Sequence, residues 1–221
     1  MRERGRRGRT LRADIANAAA RMLVEGSAES FAAAKRKAAA RFGVSDARLM
    51  PDNIEVQAAI VDYQRIFEPV EIGARVARMR EQALAAMRFF ADFAPHLVGP
   101  VLYGTAFAHS PIALHLFSDE VEAVSRFLVQ HGIGYRLSAK TLSLGGRASE
   151  TYVVFEISRG EFDFECTILP HKRLAQAPLS PLDGQPYRRM NIAALEALLA
   201  QGRGEVVLWG DARARTIPEG R

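Results

Sequence analysis

His96-Leu97-Val98-Gly99-Pro100-Val101-Leu102-Tyr103-Gly104-Thr105-Ala106-Phe107-Ala108-His109-Ser110-Pro111-Ile112-Ala113-Leu114-His115-Leu116-Phe117 is the stretch on which the fold turns. The apolar run Leu97–Tyr103 is too short for a globular helix and rich in Val and Leu, so it is predicted to be a buried strand. Gly104-Thr105 ends it, and Ile112–Phe117 has strand character again. A strand, a turn of small residues and a second strand with a polar group at its start form a common cradle for a phosphate. The small residues let backbone N–H groups come close to the ligand. Gly104, Thr105, Ser110 and His115 are therefore the expected ligand-binding residues.

This stretch resembles the nucleotidyltransferase superfamily. Members carry a Gly-Ser pair after one strand and Ser-Asp-hydrophobic-Asp-hydrophobic on the next. Here Gly104-Thr105 stands for the pair and Ser110-Pro111-Ile112-Ala113-Leu114 for the acidic strand, with Pro111 and Ala113 in place of both aspartates. The longer string Gly-Thr-Ala…His-Ser…Leu-His-Leu-Phe is similar to bacterial proteins given nucleotidyltransferase-like labels. A muramate–alanine ligase label, also attached to such chains, would need a Gly-x-Gly-Lys-[Ser/Thr] phosphate loop that this sequence lacks. The resemblance implies an α+β fold, with a nucleotidyltransferase-like mixed sheet, flanking helices and a helical unit in front. It requires Leu97–Tyr103 and Ile112–Phe117 to be neighbouring strands, with Phe162–Leu169 in the same sheet. A helix at either of the first two runs would end that reading.

Two-metal nucleotidyl transfer needs carboxylates that hold two divalent ions about 3.5–4 Å apart, and Mg²⁺ prefers oxygen ligands. The superfamily places a third acid on a later strand. Asp163 and Glu165 alternate with Phe162, Phe164 and Cys166, so both point to one face of a predicted strand and are the candidate catalytic acids. The plainer reading of the pair is the solvent face of an amphipathic strand. One acidic strand alone cannot build a two-metal site, so Mg²⁺ is expected only if the protein is active.

The other candidates are weaker. Ser110 as a nucleophile with His109 as its base is disfavoured, because neighbours on an extended chain point to opposite faces. His115 shares a strand face with Pro111 and Ala113, but one imidazole is not a metal site. His171-Lys172-Arg173 and Arg188-Arg189 are basic clusters able to hold a phosphate. Cys166 has no partner that would lower its pKa and reads as buried and inert.

The chain has 221 residues, 48% of them hydrophobic, which suits one sizeable domain, or one domain with a smaller helical one attached. No apolar run approaches the ~20 residues needed to span a bilayer, and the charged N-terminus lacks the apolar core of a secretory signal. With a single cysteine, these features predict a soluble cytoplasmic protein with no membrane partner. The net charge of +5 equals that of residues 1–12, where six arginines face one glutamate, so the remainder is neutral. Residues 1–9 read as a basic disordered tail that aids solubility, with weak polyanion binding as the alternative.

Helical spacing marks residues 11–23, 31–42, 53–67, 74–94, 121–131 and 191–199. Ser30 caps the second of these, and Asp52 with Glu55 forms a capping box for the third. Lys35, Arg36, Lys37 and Arg41 form a solvated or phosphate-contacting face. Gly43-Val44-Ser45 has the spacing of a DNA-binding helix-turn-helix. Pro51, however, forces a helix begun at Ser45 to stop near Leu49 or Met50, too short to lie along a major groove. Residues 10–68 are thus one helical unit, and residues 74–221 the α/β domain. In the latter, Ile133–Leu142 is a possible strand, Tyr152–Ser158 and Phe162–Leu169 make a hairpin about Arg159-Gly160-Glu161, and Glu205–Trp209 is a last short strand.

These readings converge on a pseudoenzyme with a nucleotidyltransferase fold that binds a nucleotide, a phosphorylated small molecule or a protein partner. One rival is an active nucleotidyltransferase with other ligands, such as Asp119, Asp163 and Glu165. The other is a nucleic-acid-binding protein using the tail and Lys35–Arg41.

Overall fold

Alanine spacing shapes the first part of the chain. In the computed structural model, which describes residues 2–28, 30–67, 69–107 and 110–201, α1 spans Arg2–Val24, α2 Phe31–Arg41 and α3 Asn53–Phe67. Small side chains let these helices approach closely, and Ile15, Ala19, Ala34, Ala38, Val56 and Ile60 form the buried centre. Ser30 Oγ accepts from Ala33 N at 3.2 Å, as a cap should. Asp52 Oδ1 accepts from Glu55 N at 2.8 Å while Glu55 Oε2 accepts from Asp52 N at 2.7 Å, which completes the capping box. Arg12 Nε adds a bond of 2.8 Å to each Glu55 oxygen, tying α1 to α3.

One reading of this region changes and one holds. The backbone from Arg2 onward, expected to be a disordered tail, is helical and continuous with α1. Arginine is a good helix former, and Gly5 and Gly8 each weaken a helix by only about 1 kcal/mol. Between α2 and α3, Ala47–Leu49 is a single 3-10 turn capped by Asp46, so no recognition helix follows Gly43. The proline argument anticipated that stop.

The described residues divide into two compact units: those up to Ile72 together with Phe107, and those from Gly73 to Ala106 and from Ser110 to Gln201. The second unit is built on a five-stranded mixed sheet in the order β1-β2-β5-β4-β3. Its strands are β1 His96–Val98, β2 Ile112–Phe117, β3 Arg136–Gly145, β4 Ala148–Arg159 and β5 Phe162–Leu169. β2 runs parallel to β5 and antiparallel to β1, while β3, β4 and β5 form an antiparallel meander. The predicted hairpin turn is present at Gly160, with φ 63°. β3 begins and ends three residues later than expected, at Gly145 and Gly146, whose positive φ values make the turn into β4. The expected strand Glu205–Trp209 lies outside the described residues.

The run Leu97–Tyr103 is not one strand. β1 ends at Val98, Gly99 turns with φ 72°, and Gly99–Tyr103 is a short helix, α5. Pro100 sits in its first turn, where its missing N–H and fixed φ are no handicap. Val101, Leu102 and Tyr103 are all buried, and a run buried on every side carries no period that separates strand from helix. This helix removes the strand on which the resemblance hung its Gly-Thr turn.

Before the sheet, α4 runs Pro69–Phe89, starting earlier than predicted, again with proline at its first position. Arg80 on this helix is 2% exposed and donates from Nε to Val101 O and from Nη2 to Leu102 O, both at 3.1 Å. It thereby supplies donors to carbonyls near the end of α5. After β2, α6 (Val121–Gln130) joins an aromatic cluster in which Phe127 contacts Phe89, Phe90 and Phe93. The last described helix, α7 (Ile192–Ala200), is capped by Asn191, whose Oδ1 accepts from Ala194 N at 2.9 Å.

Candidate functional site

The two faces of the sheet differ in chemistry. One carries Leu97, Ile112, Leu114, Leu116, Cys166 and Ile168, all buried and apolar. The thiol of Cys166 is pushed up to about 12 by that burial, so it stays protonated and unreactive. Strand alternation sends the other set to the opposite face: His96 and Val98 from β1, Ala113, His115 and Phe117 from β2, Glu165 and Thr167 from β5. Here polar groups and partly open positions occur together.

Ala113 pairs in register with Glu165, and Glu165 with Glu156 of β4. Ala113 is only partly buried, and a Cβ built on Gly99 would stand 3.6 Å from its own Cβ. Lys140 of β3 reaches across β4 to place Nζ 3.0 Å from Glu165 Oε2. Burial acts against the ammonium, but the charge and hydrogen bond of Glu165 outweigh it and hold the Lys140 pKa above its usual value. Glu156 is engaged by Arg136 at 3.0 Å.

The remaining predicted acids do not join this group. Asp163 accepts from Ser158 Oγ at 2.6 Å, across the hairpin. Asp119 follows the far end of β2, where it accepts from His171 N at 3.0 Å and meets the His171 ring at 3.1 Å. Those bonds, backbone first, hold its carboxyl below the usual range. Ala113 and Asp119 are six positions apart, roughly 20 Å at about 3.3 Å per residue of strand. Asp119, Asp163 and Glu165 therefore cannot share a metal. Pro111 and Ala113 offer no ligand atom, and Glu165 is already paired with an ammonium, so this part of the chain does not fit a pair of Mg²⁺ ions. Among the described residues, no three His, Cys, Asp or Glu side chains stand close enough to hold a metal ion.

The expected phosphate cradle is used otherwise. Thr105 N donates to Pro100 O at 2.9 Å and Gly104 N to Val101 O at 3.4 Å, with Gly104 at φ 73°. This is a Schellman-type end to α5, and it consumes the N–H groups assigned to a ligand. Thr105 and Ser110 are buried at 2% and 7% exposure. His109 lies outside the described residues.

His115 is the predicted site residue with the most developed surroundings. It is 2% exposed, and the ring of Tyr187 packs edge-on against it with centroids 4.9 Å apart. Arg189 Nε donates to His115 Nδ1 at 3.2 Å. That bond needs the Nδ1 lone pair, so the ring proton sits on Nε2 and the imidazole is neutral. Burial first, and then the positive charge of Arg189, keep the His115 pKa well below its ordinary value. Arg189 Nη1 donates to Arg173 O at 2.6 Å and to Leu174 O at 3.3 Å, and its guanidinium carbon lies 4.9 Å from the centre of the Phe117 ring. Met190 pairs with Leu97 through bonds of 2.8 and 3.0 Å, which fixes this segment beside β1.

Of the other basic groups, His171 is taken by Asp119, and Arg173 by Glu150 at 2.9 Å and Tyr152 at 3.1 Å. Tyr152 in turn donates to Glu150. The sequence marks Arg189 as a group able to hold a phosphate but gives no sign of its link to His115. It missed Lys140 and Tyr187. Strand alternation places Lys140 on the Glu165 face once the register is known, whereas Tyr187 lies in a proline-containing loop without a periodic signal.

No family model matches the sequence, and no curated protein matches it.

Proposed function

We propose that the protein binds a phosphorylated ligand, such as a nucleotide, on the polar face of its sheet and does not transfer nucleotides. The observation that carries this reading is the ion pair between Lys140 and Glu165 beside Ala113. In a two-metal enzyme that location would hold cations on several carboxylates. Here Glu165 is neutralised by a lysine and its cross-strand neighbour Glu156 by Arg136. Positioning by metal ions supplies most of the catalysis in phosphoryl-type transfer, so a site without them keeps at most the binding part. The helix at Gly99–Tyr103 takes up most of a run that a nucleotidyltransferase-like sheet needed as a strand, so the binding reading stands without that origin.

The test is calorimetry and thermal-shift measurement with ATP, AMP and inorganic phosphate, each with and without Mg²⁺ or Mn²⁺, alongside a radiolabel transfer assay. Saturable binding of a phosphorylated compound without nucleotide incorporation is expected. Metal-dependent turnover of a nucleoside triphosphate would overturn the reading in favour of an active enzyme.

A further inference from the structure

β3 is the outer strand of the sheet, with β4 on one side only. Ser143 O accepts from Leu179 N at 2.7 Å, so the backbone groups of Ser143 point away from β4. Alternation along an antiparallel pair then turns the N–H and C=O of Thr141, Ala139 and Leu137 outward as well. The 2.8 Å bond between Thr141 Oγ1 and Thr151 Oγ1 agrees, since side chains come closest at pairs that exchange no backbone bonds. Among the described residues, Leu179 makes the only backbone bond to this edge, and Leu137, Ala139 and Thr141 are all exposed.

Free edges are ordinarily guarded by proline, by a bulge or by charges that project along them. The segment Leu137–Thr141 has none of these. It contains no proline, and the irregularity of this strand lies beyond it, between Ser143 and Gly145. The nearby cations reach into the sheet and not along the edge: Arg136 to Glu156 on β4, and Lys140 past β4 to Glu165 on β5. Leu137 adds an apolar side chain that is 61% exposed.

From this geometry we infer that the β3 edge pairs with the β3 edge of a second copy of the chain, antiparallel about a twofold axis at Ala139, so that two five-stranded sheets join into one. Charge selects the register. An axis at Ser138 sets Arg136 opposite Lys140 of the second copy, and an axis at Lys140 sets the two lysines face to face. Like charges directly opposite are destabilising. An axis at Leu137 or Thr141 runs the pairing past an end of the free segment, into Tyr135 or the Ser143 already held by Leu179. With the axis at Ala139, Leu137 meets Thr141, Arg136 meets Leu142, Lys140 meets Ser138, and Ala139 meets its own copy. Every outward group from Leu137 to Thr141 is then used in both chains, and each cation keeps its carboxylate. The free segment is symmetric about Ala139, which is what a self-complementary twofold contact requires.

The experiment follows the mass of the full chain against concentration, by sedimentation velocity and light scattering, for the wild type, Ala139→Pro and Ala139→Lys. The wild type should pass from monomer to dimer as concentration rises. Ala139→Pro removes an outward N–H that β4 does not use, a change that edge strands tolerate. Ala139→Lys opposes two ammonium groups across the axis. Each should weaken dimerisation by about tenfold or more and keep the circular dichroism of the wild type. Ala139→Cys reads the register. Its two sulfurs meet across the axis, so mild oxidation should link it into a dimer faster than Leu137→Cys or Thr141→Cys, and the native Cys166 is buried and does not compete. A wild type that stays monomeric at every concentration overturns the inference, including the case in which the edge takes a strand from a different protein. A dimer that Ala139→Pro and Ala139→Lys leave unchanged overturns it too, because the contact then lies elsewhere. Should those two variants fail to fold, the cysteine series decides, and equal linking at the three positions overturns the inference.

Discussion

Lys140 Nζ lies 3.0 Å from Glu165 Oε2, next to the position on β2 where Ala113 stands. Both side chains are partly exposed, at 40% and 34%, so solvent screening limits what the pair is worth. A double-mutant cycle with Lys140→Met and Glu165→Gln should give a coupling of about 0.5–1 kcal/mol, read from urea unfolding. The Lys140 pKa is raised in the folded state, so this contribution is complete below the unfolded lysine value and disappears as pH rises through the folded one. A coupling that does not weaken as pH rises above the ordinary lysine range would contradict the assignment.

The partial burial of Ala113 can be tested by introducing acids. Ala113→Asp should fold, because the position is partly open and Lys140 stands near enough to offset the new charge. Pro111→Asp with Ala113→Asp should gain Mn²⁺ or Mg²⁺ binding in calorimetry. Adding Lys140→Met should strengthen that gain, since the competing ammonium is gone, and adding Glu165→Gln should weaken it. Loss of folding in the double variant would mean that these positions face packed core, where an unpaired charge is destabilising by several kcal/mol.

His115 makes stability depend on mild acid. Its folded pKa is depressed, so below the unfolded value of about 6.5 the unfolded chain binds a proton that the folded one refuses. Stability therefore falls as pH drops from about 7 to 5. His96, whose pKa burial also lowers, adds to the same slope. His115→Asn keeps an acceptor for Arg189 Nε and removes the titration. The thermal midpoint of that variant should vary less over this range than that of the wild type, and an equal slope would show that His115 titrates normally.

Strand alternation was readable in Ile112–Phe117 and Phe162–Leu169 because each has one apolar face and one mixed face. Leu97–Tyr103 gave no such signal. Its residues are buried on all sides, and the decisive features were Gly99 at positive φ and Pro100 in a first helical turn. The candidate site was legible only in part. His115, Glu165 and Arg189 announce themselves as titratable residues in unusual places. Their assembly depends on a parallel register and on a loop running back along β1, and neither leaves a local pattern.

Arg80 is a buried charge with a structural task. Arg80→Met removes the donors that serve Val101 O and Leu102 O and leaves buried carbonyls short of partners. The loss should be about 2 kcal/mol or more by chemical denaturation. A change below about 0.5 kcal/mol would show that other donors reach those oxygens.

Residues 1–12, six arginines against one glutamate, carry the whole net charge of +5. A chain beginning at Thr10 should lose nearly all of any salt dependence of polyanion binding, since each phosphate contact contributes about 0.9 to the slope of log affinity against log salt. Tight nucleic-acid binding that survives the truncation would locate the basic surface on Lys35–Arg41 instead.

The sheet order also sets an order of events as the chain folds. β3, β4 and β5 are successive and joined by tight turns, so their pairing closes only short loops. β2 can join them only beside β5, where Ile112 meets Phe164 and Phe117 meets Leu169. That pairing closes a loop containing α6, β3 and β4, and it carries a larger entropic barrier. Ala113 and Glu165 thus meet late, after the meander has formed. Substitutions inside β3–β5 should slow folding, whereas substitutions on β2 should chiefly speed unfolding. The part of the polar face that β2 contributes is then added after the part that β3, β4 and β5 already share.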